Sequence, residues 1–330
     1  MDIIKNNKTE KFLSRDLIYI ISRNSNWTKS DIDKTLAANV YAEKKALFRF
    51  FDFFLLALGV GFAASGAIFF FAYNWDEMTP FVKVSIVCAL LIGSVTVSLF
   101  VNMPPTAKKI ILTGAALLVG VLLAVYGQVY QTGANSWEMF AEWAVFIVIW
   151  TFVANFAPLW MLLVILLNTT FILYTNSFYV DFQVLLFFLF LFNGAFVVIG
   201  EMGYWVNVFK KRTGWLLVTV LLFTALCSTV GIIMSLFDAN LYILDIIELP
   251  FAWIIAMCLY ILMFIYSIYM HYTSYLLIIA ASVIAIATAL LAKILIEPFS
   301  IFLCGFFIVV CISLTTHYIN KLNKRWYGNK

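Results

Sequence analysis

Charged residues are scarce in this sequence. Asp, Glu, Lys and Arg together make up 12% of the 330 residues, about half the share found in soluble domains. The apolar fraction is 64%, and the mean hydropathy is +1.00. Such a composition excludes collagen-like, disordered and disulfide-stabilised chains. It indicates a protein with many membrane spans.

Metal-ligating residues and catalytic motifs are also lacking. His271 and His317 have no cysteine or carboxylate at ligand spacing. The sequence has no His-Glu-x-x-His segment, pair of intramembrane aspartates, Ser-Lys constellation or Gly-rich phosphate loop. We therefore predict no enzyme activity, no metal and no cofactor. Five cysteines lie singly inside apolar runs, which favours packing over a redox role; they are Cys88, Cys227, Cys258, Cys304 and Cys311.

Ten apolar runs are long enough to cross a hydrocarbon layer about 30 Å thick. The fourth and fifth runs meet at Asn155-Phe156-Ala157-Pro158, where the proline favours a break. An unbroken helix over 140–174 would measure about 52 Å, too long for one crossing. The break is compatible with two separate crossings and with a re-entrant pair of helices. We predict an all-α polytopic bundle with spans at 50–72, 81–101, 110–130, 140–154, 158–174, 182–202, 215–236, 250–270, 275–292 and 299–319.

Lys and Arg residues are distributed unequally between the two predicted sides. With the N-terminus in the cytoplasm, all 21 except Lys83 and Lys293 fall on the inner side, as the positive-inside rule requires. We therefore predict that both termini are cytoplasmic and that the sequence has no cleavable signal peptide. Because the positive charge follows orientation, it does not indicate nucleic-acid binding. The outer turns carry the acids Asp76, Glu77, Glu138, Glu142, Asp181, Asp238, Asp245, Glu248 and Glu297.

The chain divides by composition into four parts. Residues 1–48 hold two amphipathic helical segments around a polar turn, with Thr28 and Ser30 as the candidate caps of the second. Spans fill 49–175 and 176–320, and 321–330 form a basic cytoplasmic tail. A hairpin as small as 1–48 cannot hold a sizeable core. It either packs on the inner ends of the spans or docks a cytoplasmic partner.

Polar residues gather at the predicted outer ends of the first, third and fourth spans. Gln128 lies about 28 Å along its helix from the inner surface, level with Asn74. One interpretation is an outward-facing site for a polar head group, sugar, peptide or cation. The other is interfacial aromatic residues and helix caps. We define the outer-face cluster as Asn74, Trp75, Asp76, Gln128, Gln131, Glu138 and Trp143.

Two asparagines lie near mid-depth. Asn168 and Asn193 fall about 15 Å into the fifth and sixth spans, where they can form a helix-to-helix hydrogen bond or line a translocation path. No ionisable residue lies at mid-depth, which argues against a proton-coupled transporter. Small-xxx-small spacing at Gly59–Ala63, Gly61–Ser65 and Gly120–Ala124 predicts that the first and third spans are neighbours.

Two segments at the outer face resemble a known family. One is Phe71-Ala72-Tyr73-Asn74-Trp75-Asp76-Glu77. The other is Gly127-Gln128-Val129-Tyr130-Gln131 with Gly133, followed by Trp137-Glu138-Met139-Phe140-Ala141-Glu142-Trp143-Ala144. Over roughly residues 10–175, the chain resembles the bacterial membrane proteins classed as domain of unknown function 2157 (DUF2157). It departs from the family pattern at Gly133-Ala134-Asn135, where a Gly-Asp pair is usual.

The resemblance implies a multi-protein membrane assembly. The family is associated with a second polytopic family and with a small protein bearing a GDYXXLXY motif, and no catalytic activity comes with it. Our leading hypothesis is a non-enzymatic inner-membrane subunit whose outer-face cluster engages a partner or envelope ligand. The alternative is a transporter or flippase for a small polar or lipid-linked substrate. That substrate would enter at the cluster and pass Asn168 and Asn193.

Overall fold

The computed structural model describes residues 18, 21–22, 25–39, 44–74, 76–205, 214–237, 242–243, 247–295 and 300–327. This part of the chain contains eleven helices and one two-stranded sheet. They are α1 (Lys29–Asn39), α2 (Lys44–Asn74), α3 (Pro80–Phe100), α4 (Pro105–Tyr130), α5 (Ser136–Ala154), α6 (Ala157–Ser177), α7 (Phe182–Trp205), α8 (Gly214–Phe237), β1 (Tyr242–Ile243), β2 (Ile247–Glu248), α9 (Leu249–Met270), α10 (Thr273–Ile294) and α11 (Ser300–Tyr327).

Ten of the described helices, α2 to α11, are long and apolar enough to cross a membrane. They coincide with the ten predicted spans, which are thereby confirmed. Within the described residues, the one departure from an all-α chain is the hairpin of β1 and β2, in which Tyr242 pairs with Glu248 and Ile243 with Ile247. It lies between α8 and α9, where the sequence predicts only a short turn.

A local cap explains why α5 begins at Ser136 rather than at the predicted residue 140. The Glu138 carboxylate accepts hydrogen bonds from the backbone N–H of Asn135, at 3.2 Å, and from its side-chain amide, at 2.8 Å. A carboxylate in this position satisfies a backbone donor that the first helical turn leaves unpaired. The cap adds about one turn to the predicted fourth span.

The predicted break between the fourth and fifth spans lies at Asn155. This residue ends α5 in the left-handed conformation, with φ 42° and ψ 61°, which asparagine tolerates better than most residues. Pro158 stands in the first turn of α6, where its missing N–H costs no helical hydrogen bond. Both helices are long enough to span a membrane. The rings of Phe152 and Trp160, 4.8 Å apart, pack the two helices together at the break.

The chain separates into two compact units. Unit 1 comprises residues 1–118 and unit 2 residues 119–330. In unit 1, a Cβ at Gly114 of α4 would lie 2.2 Å from Val60 Cγ1 of α2, so the two helices approach closely. The first and third spans are therefore neighbours, as predicted. The glycine that permits the contact is Gly114. A Cβ added at Gly59 or Gly61 would have no described atom of unit 1 within 4 Å.

Unit 2 is an up-and-down arrangement built around α8. In the most apolar part of α8, 61% of the residues are buried, and its main neighbours are α7, α9 and α10. Ring contacts and hydrogen bonds pair the helix ends of this unit. We call the end that carries Glu138 and Asp181 the acidic end, and the end that carries Lys321 and Lys324 the basic end.

The last helix extends further than its sequence suggests. The prediction ends the tenth span at 319 and begins a basic tail at 321, whereas α11 continues to Tyr327. Ile319 and Leu322 pack against Leu276 of α10, and the Thr273 hydroxyl donates to Asn323 Oδ1 at 2.8 Å. These contacts hold the basic segment in the helix.

The predicted N-terminal hairpin is described only in its second half. α1 begins after Thr28, one of the two candidate caps in the sequence. Thr28 and Asp31 form a reciprocal cap in which the Thr28 hydroxyl donates to the Asp31 carboxylate at 2.6 Å and the Thr28 N–H donates to it at 3.0 Å. The first predicted helix, 9–24, lies outside the described residues except for positions 18, 21 and 22. The hairpin itself stays a prediction.

Candidate functional site

The outer-face cluster has two described members in unit 1. The Asn74 amide donates to the carbonyl of Phe70 at 2.9 Å, so it caps the end of its own helix. Asp76 follows in an exposed turn. Among the described residues no hydrogen bond or ion pair engages the Asp76 carboxylate. Trp75 lies outside the described residues.

The other four members belong to unit 2, where α4 ends and α5 begins. Gln128 and Gln131 are exposed, and the described chain offers no hydrogen-bond partner to either amide. Gln131 adopts φ 45°, a left-handed conformation that ends α4. Two exposed tyrosines, Tyr126 and Tyr130, pack their rings 4.7 Å apart beside these glutamines.

Glu138 and Trp143 stabilise the helices that carry them. Glu138 completes the capping box of α5, in which Asn135 is the N-cap. A Cβ added at Gly120 would lie 2.4 Å from the Trp143 ring. This ring stacks on that of Phe140, with the ring centroids 6.2 Å apart. Gly120 therefore accommodates an indole, whereas the sequence predicts that it serves backbone contact between spans. The described cluster thus divides into residues that support the scaffold, namely Asn74, Glu138 and Trp143, and residues with available polar groups, namely Asp76, Gln128 and Gln131.

The structure brings the mid-depth asparagines together. Asn168 of α6 donates to Asn193 Oδ1 at 3.0 Å, and Asn193 of α7 donates to Asn168 Oδ1 at 2.6 Å. Each amide also donates to the backbone carbonyl four residues before it, Val164 or Leu189. Both side chains are buried. The reciprocal pair uses all four amide N–H groups and both side-chain oxygens, which suits a helix-to-helix link.

A buried carboxylate was not singled out by the sequence. Glu201, near the basic end of α7, is 5% exposed. Its Oε2 accepts a hydrogen bond from Tyr266 Oη of α9 at 2.8 Å, and its Oε1 accepts one from Tyr275 Oη of α10 at 2.5 Å. The charge distribution assigned Glu201 to the charged residues of the inner side. The feature of the sequence that could have indicated its burial is its position directly after the apolar run Val197-Val198-Ile199-Gly200.

Two further groups of buried polar side chains lie along α8 and α9. At mid-helix, Ser228 Oγ and Tyr260 Oη share a hydrogen bond of 2.5 Å. At the acidic end, the Trp253 indole donates to Ser235 Oγ at 2.8 Å, and the Ser235 hydroxyl donates to Gln183 Oε1 at 3.2 Å. Among the described residues, no buried side-chain polar atom lacks a hydrogen-bond partner.

A small cavity lies between four helices of unit 2. Its volume is about 30 Å³, and it is lined by residues of α7, α8, α9 and α10. Tyr260 forms part of the wall. Val197 also lines it, one helical turn before Glu201, as does Met263, about one turn before Tyr266. The cavity therefore separates the Tyr260–Ser228 pair from the Glu201 site.

No group of three or more His, Cys, Asp or Glu side chains in the described part of the chain could hold a metal ion.

Outside the spans, the carboxyl group of Asp31 has a shifted pKa. Hydrogen bonds from the Thr28 side chain, first, and from its backbone N–H lower the pKa of Asp31 below its ordinary value.

Residues 27–160 match the family model described as predicted membrane protein (DUF2157). The match confirms the resemblance that the sequence motifs indicate, over a narrower range than 10–175. It includes α1 to α5, the beginning of α6 and every member of the outer-face cluster. The family description assigns no activity. No curated protein matches the chain, and no solved structure matches it.

Proposed function

We propose that this protein is a non-enzymatic subunit of a multi-protein assembly in the bacterial inner membrane, and that its outer-face cluster contacts a partner. One observation carries the proposal. Asp76, Gln128 and Gln131 are exposed at helix ends, and no described residue engages their polar groups. Helix ends normally use such side chains for capping, as Asn74 and Glu138 do here.

The chemistry of the available groups defines what each unit offers to a partner. In unit 1 the Asp76 carboxylate accepts hydrogen bonds, and in unit 2 the primary amides of Gln128 and Gln131 both donate and accept them. Tyr126 and Tyr130 add aromatic area, which is typical of contact surfaces. These groups suit a polar segment that carries amide or cationic donors. By resemblance to the family, a second polytopic protein and a protein with the GDYXXLXY motif are the first candidates.

The orientation rests on charge. Ten of the 21 Lys and Arg residues precede the first span, and cytoplasmic segments carry the excess of positive charge in membrane proteins. We assign both termini and the basic end of unit 2 to the cytoplasm. The acidic end and the outer-face cluster then face outward.

The transporter alternative finds less support in the geometry. It requires Asn168 and Asn193 to line a path. Their four amide N–H groups are instead engaged, two with each other's side-chain oxygens and two with the backbone carbonyls of Val164 and Leu189, and neither residue lines the cavity between α7 and α10. The buried pair therefore has no amide N–H group left to donate to a substrate.

Gentle extraction of the tagged protein at its native level, followed by mass spectrometry, tests the proposal. The variants are Asp76→Asn, Gln128→Ala and Gln131→Gly. Glycine at 131 removes the amide and keeps the positive φ accessible. Matched controls are Glu77→Gln and Thr132→Ala, which change exposed neighbours. We expect a stoichiometric partner with the native chain and the controls, and about tenfold lower recovery for each cluster variant. A chain that purifies without any protein partner contradicts the proposal.

A further inference from the structure

The last helix of unit 2, α11, carries an exposed basic face near its C-terminal end. Lys321, Lys324 and Arg325 are exposed. At about 100° of rotation per residue, the three positions fall within an arc of about 100° around the helix. Because the helix continues to Tyr327, it holds the three charges on one side of α11.

Contacts on the other side of α11 fix the direction of this basic face. Ile319 and Leu322 pack against Leu276 of α10. The ring centroids of Trp326 and His271 lie 4.8 Å apart. The three packed residues of α11 fall within an arc of about 60°, centred about 140° from the middle of the basic face. The basic face therefore points away from α10.

The span that precedes the basic face has little protein cover. Among the described residues, none in the most apolar part of α11 is buried. Its exposed side chains extend along the whole span and include Ile301, Phe306 and Leu314. Acyl chains are as apolar as these side chains. In a bilayer, α11 therefore contacts lipid along its length.

Helical rise places the basic face at the level of the lipid headgroups. With the average tilt of about 20°, Lys321 stands about 30 Å and Arg325 about 35 Å from Ser300 across the bilayer. The hydrocarbon layer is about 30 Å thick, and each headgroup layer adds about 5–7 Å. Long basic side chains extend toward this layer, where the phosphate groups lie.

Unit 2 offers no described carboxylate to neutralise these charges. At its basic end, the one acid in the described residues is Glu201. This side chain is buried, and its two oxygens accept hydrogen bonds from Tyr266 and Tyr275. Among the described residues, no ion pair engages a cation of the basic face. The complementary charge must come from another molecule.

We infer that the basic face of α11, comprising Lys321, Lys324 and Arg325, binds the phosphate group of an anionic phospholipid whose acyl chains lie along the exposed span of the same helix. Phosphatidylglycerol is a ligand of this class. The site shares no residue with the outer-face cluster and uses a different kind of ligand, so the inference goes beyond the proposed subunit function and does not rest on it.

Charge explains why this site should distinguish anionic from zwitterionic lipids. Phosphatidylcholine carries the same phosphate beside a choline cation, which the three basic side chains repel. Phosphatidylglycerol has no such cation. Each Lys or Arg at an anionic lipid surface strengthens binding about fivefold, and the Arg325 guanidinium can donate two parallel hydrogen bonds to one phosphate.

Native mass spectrometry of the purified full chain in a neutral detergent tests the inference. Phosphatidylglycerol and phosphatidylcholine with identical acyl chains are titrated separately, and the ratio of their affinities is measured. We expect a ratio of about a hundredfold in favour of phosphatidylglycerol for the native chain. The double variant Lys321→Gln/Lys324→Gln should lower this ratio about thirtyfold, because it removes two of the three cations.

The matched control removes the same charge elsewhere. Lys29→Gln/Lys34→Gln changes two exposed residues of α1 and should keep the ratio of the native chain. Equal thermal transitions without added lipid show that both variants are folded. A native chain that binds the two lipids equally, or equal ratios for the two double variants, overturns the inference.

Glycerol phosphate distinguishes a lipid from a free phosphate. It carries the phosphate without acyl chains, so it should leave bound phosphatidylglycerol in place at equal concentration. Full displacement would overturn the assignment of the site to a lipid, because acyl contact with the span would then contribute nothing.

Photocrosslinking locates the lipid on α11. A photoreactive phenylalanine replaces Tyr318, which is exposed on the same side as the basic face, or Ile301, which is exposed at the other end of α11. The chain is placed in nanodiscs that contain equal amounts of the two lipids. We expect mainly phosphatidylglycerol adducts at position 318 and both lipids equally at position 301. Equal adducts at position 318 contradict the inference. Recovery of a partner by a chain without lipid preference would leave the subunit proposal standing, so the two proposals fail separately.

Discussion

At the scale of single residues, Gly120 makes room for an indole ring. A Cβ at this position would lie 2.4 Å from Trp143, and a ring held in a helix contact cannot swing away as a flexible chain end can. We expect Gly120→Ala to destabilise the protein by about 1–3 kcal/mol, although alanine is the better helix former.

Thermal unfolding in detergent measures this effect against a matched control. Gly93→Ala makes the same change in α3, where no described atom lies within 4 Å of the added carbon. That variant should be as stable as the native chain or more so. Equal transition temperatures for the two variants would refute the packing role of Gly120.

The asparagine pair gives a second prediction at this scale. Removing one amide leaves its partner with an unmatched group in a buried site, so Asn168→Leu and Asn193→Leu should each cost about 1–2 kcal/mol. The double variant should cost less than the sum, with a coupling energy of about 0.6 kcal/mol and at most about 1.7 kcal/mol.

Unfolding in mixed detergents gives the three free energies of this cycle. Thr170→Val is the control partner, because among the described residues the Thr170 hydroxyl donates only to the carbonyl of Leu166 in its own helix. Combined with Asn193→Leu it should be additive within about 0.5 kcal/mol. Additivity of the asparagine variants as well would mean that the pair adds no link between α6 and α7.

At the scale of helices and strands, the cap of α1 depends on the charge of Asp31. Its lowered pKa means that folding favours the carboxylate. The cap therefore stabilises α1 above the ordinary aspartate value, near pH 4, and this stabilisation is lost as pH falls through the lowered pKa. We expect the amides of the first turn to lose protection on acidification below about pH 4.

Amide hydrogen exchange of the full chain, corrected for intrinsic rates, follows this loss. Asp31→Asn should show weak protection at neutral pH and little further change on acidification. Asp33→Asn, an exposed change in the same helix, should behave as the native chain does. A native chain whose first turn stays protected at low pH would show that the carboxylate does not maintain the cap.

The spans were predictable because each is a local property of composition and length. The end of α5 and the start of α6 could be predicted from Pro158 and its neighbours. The predicted start of α5 was wrong by four residues, because Asn135 was not recognised as its cap. The extension of α11 could not be predicted, since it depends on contacts with Leu276 and Thr273, which are distant in the chain. The same holds for the hairpin between α8 and α9.

The candidate site was predictable only in part, for the same reason. Exposure of Asp76 and Gln128 follows from their position at helix ends. The use of Trp143 as a packing residue depends on Gly120 in the preceding helix. Glu201 was passed over because its two phenol partners lie 65 and 74 residues further along the chain. Sequence alone places such a residue on a helix but does not show what encloses it.

At the scale of the whole molecule, orientation is the first prediction. Single cysteines at Lys321 and Tyr179, in a chain whose five cysteines are replaced by alanine, should react with an impermeant maleimide from opposite sides of the membrane. We expect position 179 to label in cells with a permeable outer membrane, and position 321 only after lysis. The reverse pattern would place both termini outside the cytoplasm.

The contact between the outer-face cluster and a partner is the central claim, and photocrosslinking in living cells tests it most directly. A photoreactive phenylalanine is placed at position 76, 128 or 131, with position 179 as the control. Tyr179 is 95% exposed and outside the cluster, and it lies at the acidic end of unit 2. We predict one discrete adduct, with the same partner, from each of the three cluster positions and none from position 179. No protein adduct from any cluster position, or the same adduct from position 179, would contradict the account.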